Sequence, residues 1–155
     1  MPEAAARGLN GPDDLPGAVR DALADYAADP ARADLILRVA VASAADPLPL
    51  LRVLYKFYNR QRRFDIARDH AARTLVEAAR QAGLPPQIED WNADLLDEVN
   101  AYAASQIRLA LKAIAFLSLR LGDADAASAH IAHLARLDPA DGSGASVVQA
   151  LAAAM

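Results

Sequence analysis

Few side chains in this sequence stand in a pattern that could perform chemistry. His130 and His133 are three residues apart, one helical turn, so both imidazoles can face a common point, the beginning of a zinc site if further ligands join them. The nearest acids, Asp123 and Asp125, stand at the helix start, and neither an HExxH nor a Glu-x-x-His pattern accompanies the pair, so no metal is expected. His70 is isolated, and its neighbour Asp69 projects from another side of the helix, which disfavours a catalytic dyad. The serines fall in helix middles or in the Gly142-Ser143-Gly144 joint, without the strand and sharp turn that expose a nucleophile. No phosphate-cradling glycine loop is present. The absence of cysteine removes disulfides, thiolate metal sites and cysteine nucleophiles together. Glu89, Asp90, Asp94, Asp97 and Glu98 form an acidic group, explained by helix starts, where carboxylates offset the helix dipole. Neither an enzyme nor a cofactor is expected.

The segment Arg52 to Phe64, RVLYKFYNRQRRF, carries the strongest recognition signal. Lys56, Arg60, Arg62 and Arg63 alternate with Tyr55, Phe57, Tyr58 and Phe64. Three readings stand side by side. Helical spacing alone makes the aromatics core and the bases solvated. The bases could instead line a groove for an acidic peptide or a chain's carboxylate, with Tyr55 or Tyr58 as flanking contacts. Phosphate-binding arginines with stacking aromatics would suit nucleic acid, although the acidic total and the shortness of the patch make this the weakest of the three.

These residues must be positioned by helices. Alanine and leucine dominate and arginine is frequent, while β-branched and aromatic residues are sparse, a helix-forming composition, and 155 residues suffice for one domain with a core. The formal net charge of -4 is segregated: residues 1–46 sum to -4, 47–82 to +5, 83–101 to -5 and 102–155 to zero. Such blocks can neutralise one another across packed helices or present a charged face to a partner. Residues 1–14, with Gly8, Gly11 and Pro12, are expected to be a flexible tail preceding a single helical domain over 15–155.

Apolar periodicity predicts about seven helices. The first runs from Leu15 to the stop at Asp29-Pro30, with Val19, Leu23 and Tyr26 on one stripe. The second spans about Ala31 to Asp46-Pro47, the third Leu48 to Arg60 and the fourth Phe64 to Ala82, closed by Gly83. A long helix follows over Asn92 to Leu121, with a bend near Ala103 to Ser105 possible, then Ala124 to Leu137 and a short Ala145 to Ala153. Tight connections make neighbouring helices antiparallel.

One helix pair carries a family signature. Residues 108–141 resemble a tetratricopeptide repeat, with Leu111, Ala115, Gly122-Asp123, Ala127, Ile131, Leu134 and Asp138-Pro139 at that family's packing, turn and closing positions. A more degenerate copy sixty residues upstream, within 48–82, places Leu51, Tyr58, Ala67 and Ala71 correspondingly. There Tyr55 replaces the small residue, Arg62 replaces the turn glycine, and the second helix overruns to Pro85. The resemblance implies an all-α stack of hairpins and a non-enzymatic protein-binding role, as adaptor, assembly factor or small chaperone. A partner segment, acidic where it meets the bases, would lie in a groove between hairpins, contacted by Lys56, Arg60, Arg62 and Arg63 with Tyr55 and Tyr58. The alternative is a regulatory nucleic-acid-binding protein using 52–64. Without a signal-peptide core or a stretch long enough to span a bilayer, a cytoplasmic location is expected, and the alanine and arginine content suggests a bacterial source.

Overall fold

The computed structural model describes residues 15–154, so the expected tail over 1–14 lies outside the described residues. These residues form eight α-helices and no strand. The helices are α1 Gly17–Ala24, α2 Pro30–Ser43, α3 Leu48–Arg60, α4 Phe64–Ala82, α5 Ala93–Glu98, α6 Ala101–Arg120, α7 Ala124–Leu137 and α8 Ala145–Ala154. Two short 3-10 turns, Tyr26–Ala28 and Ile88–Asp90, lie between them. No helix among the described residues is long and apolar enough to cross a membrane.

Local signals account for most boundaries. Asp29 caps α2 by accepting from the Arg32 amide at 3.2 Å, with Pro30 at the first helical position where its missing N–H costs nothing. Gly83 ends α4 in the left-handed region at φ 70°, and Leu84 N donates back to Ala79 O. Two boundaries differ from expectation. The first helix stops at Ala24, and the 3-10 turn after it carries Tyr26 into the core. The long helix over 92–121 is broken at Val99-Asn100 rather than bent at 103–105. Val99 is extended, and the Asn100 side chain accepts from the Ala103 amide at 2.7 Å. An asparagine side chain competes well for backbone amides at a helix start and poorly inside a helix, so it begins α6 instead of continuing α5.

The hairpin turns α3–α4 and α6–α7 share one hydrogen-bond pattern. Arg63 N donates to Tyr58 O and Arg62 N to Asn59 O, as Asp123 N donates to Ser118 O and Gly122 N to Leu119 O. Three-residue connections force each pair antiparallel. The α4 helix packs between α3 and α6, α7 closes on α6, and α8 folds back over α6 and α7. Ala67, Ala71 and Ala78 of α4 and Ala110 and Ala115 of α6 are fully buried, which lets these helices approach closely. One apolar cluster joins α1 to α4 with Ile114 and Leu117 of α6, and a second gathers Trp91, Leu96, Ile107, Leu111, Leu134 and Leu137.

Candidate functional site

The basic-aromatic segment divides into inside and outside with helical period. Tyr55, Phe57 and Tyr58 point into the core and are 6%, 3% and 1% exposed. Tyr55 and Tyr58, candidate partner contacts by sequence, thus stand in this structure as buried packing residues. Tyr58 meets Phe57 edge-on at 5.3 Å between centroids and stacks on His70 at 5.4 Å. Arranged this way the rings gain dispersion and quadrupole attraction, and they present no face to a ligand.

Arg63 is also committed. Its guanidinium donates to Asp34 Oδ2 at 2.8 Å and to the Tyr26 hydroxyl. The other Asp34 oxygen accepts from Tyr58 at 2.5 Å and from Tyr26 at 2.8 Å. Burial works to raise the Asp34 carboxyl, but these hydrogen bonds outweigh it and hold it below the usual carboxylate range. Burial, with the Asp34 charge beside it, pushes the Tyr58 hydroxyl up, so it stays protonated as a donor. The network fastens the α1–α2 hairpin to α3 and the start of α4.

Lys56, Arg60 and Arg62 remain outside. Arg52, Lys56 and Arg60 succeed one another at four-residue steps on α3, hence on one face, and Lys56 and Arg60 are exposed. None of the three is ion-paired among the described residues. Partial burial first, then repulsion from Arg52 and Arg60, lowers the Lys56 pKa. Arg62 stands in the following turn, with its guanidinium 5.7 Å from the Phe64 ring centre, and Arg120 approaches the same ring at 5.0 Å. The structure thus keeps Lys56, Arg60 and Arg62 on an exposed cationic edge and turns Arg63 toward α2.

A second polar region escaped sequence reasoning. Arg63 opens onto a groove between α2 and α4 together with Asp34, Arg38, Asp69, His70 and Arg73. His70 is 5% exposed and its Nδ1 has no hydrogen-bond partner. Burial, then the Arg73 charge, depresses its pKa to about 4 against the opposing pull of Asp69 and Asp34, so the ring is neutral at ordinary pH. Nothing local in sequence signals this groove, because its walls are 30 residues apart.

His130 and His133 do lie near each other, with ring centres 6.3 Å apart. The Nδ1 of His130 hydrogen-bonds Ala126 O at 2.8 Å and that of His133 lies 3.0 Å from Arg136. No group of three or more histidines or acids placed to hold a metal occurs among the described residues. Asp123 accepts from the Ala126 amide as the α7 cap and from Arg68 at 2.9 Å. Its role tying α7 to α4 explains its conformation.

No family model matches the chain, and comparison with curated proteins and with solved structures yields no match.

Proposed function

We propose that the protein is a non-enzymatic interaction module, an adaptor, assembly factor or small chaperone, that binds an acidic segment of another protein. The carrying observation is the unpaired series Arg52, Lys56 and Arg60 on one face of α3. Like charges four residues apart weaken a helix by about 0.2–0.5 kcal/mol per pair. An acidic partner would relieve that repulsion and gain charge-assisted hydrogen bonds. Arg62 extends the cationic edge into the next turn. Two hairpins with matching turns, stacked through α4 and α6, support a tetratricopeptide-like array as the scaffold. The burial of Tyr55, Phe57 and Tyr58 takes away the stacking faces a single-stranded nucleic acid would use.

The test is a fluorescence titration of the full chain with a glutamate-rich peptide and with a single-stranded oligonucleotide. Peptide binding that weakens at least roughly tenfold when Arg52, Lys56 and Arg60 are all changed to glutamate is the expected result. Oligonucleotide binding that falls steeply with salt, with no peptide binding, would replace this reading by the nucleic-acid one.

A further inference from the structure

Between α2 and α4 lies an open groove of about 790 Å³. Ala31, Ile66 and Ala72 supply apolar lining, and charged side chains come from both helices. Asp34 and Arg63 neutralise each other, with the Asp34 oxygens filled by three donors. Arg38 on α2 and Arg73 on α4 are exposed, and neither is ion-paired among the described residues. Asp69 is the one acid in the groove outside the Asp34–Arg63 pair. His70 forms part of the same lining, stacked on Tyr58, with a buried Nδ1 that no protein group satisfies. Buried polar atoms in folded proteins are nearly always hydrogen-bonded, so this orphan marks the floor of the groove as a place where the chain leaves its own polar demand unmet.

We propose that this groove binds a small molecule through an oxyanion group, a phosphate or a carboxylate. Guanidinium forks on opposite walls can clasp such a group from two sides, each through paired N–H donors. The imidazole lines the same groove without adding charge to it, and Asp69 can accept from a hydroxyl or amine elsewhere on the ligand. The volume is that of a small-molecule site. This set shares no residue with the Arg52–Lys56–Arg60 face, so either proposal can fail without the other.

The experiment follows the imidazole nitrogen signals of the full chain by NMR, titrating inorganic phosphate and, separately, citrate against sodium chloride at matched ionic strength and fixed pH. A saturable shift of the His70 ring, with His130 and His133 unmoved, is expected with at least one of the two anions. Which anion produces it identifies the group as phosphate or carboxylate. Arg38 and Arg73 are exposed, so Arg38→Gln and Arg73→Gln are expected to keep the helical circular dichroism and should each weaken that binding roughly tenfold. No saturable His70 shift with either anion, equal shifts of all three histidines, or unchanged affinity in both variants would overturn the proposal.

Discussion

Arg63 and Asp34 meet across the first two helical hairpins, guanidinium to carboxylate at 2.8 Å, with side chains 40% and 20% exposed. Their contributions are unequal because Asp34 also accepts from two tyrosine hydroxyls, one of them on the fully buried Tyr58. Asp34→Ala orphans all three donors and should cost about 2–3 kcal/mol, against about 0.5–1 for Arg63→Gln, whose half-exposed charge water can serve. Urea denaturation of both variants checks the ratio. Equal losses would mean that the tyrosine hydroxyls find other acceptors.

His70 makes stability depend on pH. Its folded pKa of about 4 lies below the ordinary value of 6.5, so the unfolded chain binds more protons between these limits. Stability is therefore full above about pH 7 and falls as pH drops from 6.5 toward 4, by up to about 3 kcal/mol. The lowered pKa of His133 acts in the same direction. Carboxylates such as Asp34 titrate lower still and add their loss below this window. Thermal unfolding across pH 4–7 should show the slope, and His70→Phe, which keeps a ring against Tyr58, should remove most of it.

Arg62 and Gly122 occupy the same left-handed turn position in successive hairpins, at φ 59° and 74°. Arginine is strained there by about 1 kcal/mol, and glycine is not. Arg62→Gly should therefore raise stability by about 0.5 kcal/mol, net of the lost contact with Phe64. A Cβ at Gly122 would meet no atom within 4 Å, so Gly122→Ala should cost about 1 kcal/mol through backbone strain alone. Calorimetric midpoints moving in opposite directions are the expected outcome.

Lys56 lies one helical turn from both Arg52 and Arg60. Lys56→Gln removes two repulsive pairs and should stabilise the folded chain by about 0.5 kcal/mol. The same change should weaken binding of a glutamate-rich peptide. A variant gaining stability while losing affinity would identify the charge series as retained for binding, whereas loss of stability would make Lys56 part of a compensating network within the chain.

Much of this protein was decided by local sequence. An alanine- and leucine-rich composition, with Asp29-Pro30, Gly83-Leu84-Pro85 and Gly122-Asp123 as punctuation, determined an all-α chain and most helix limits, because caps, prolines and left-handed glycines act within a few residues. Apolar period placed Leu51, Leu54 and Leu111 in the core, and the repeat resemblance placed Ala115 and Leu134 there. The break at Asn100 is not legible locally, since apolar periodicity continues across it while its side chain caps a new helix. Tertiary structure alone decided which bases stay free. Arg62 and Arg63 are neighbours of identical type, yet one remains at the exposed turn and the other turns to an aspartate 29 residues away. The same holds for His70, whose neutrality and missing partner come from Tyr58 and the α2–α4 groove. Spacing along a chain reports the face a side chain occupies, but its ionisation and availability depend on what the packed helices bring opposite it.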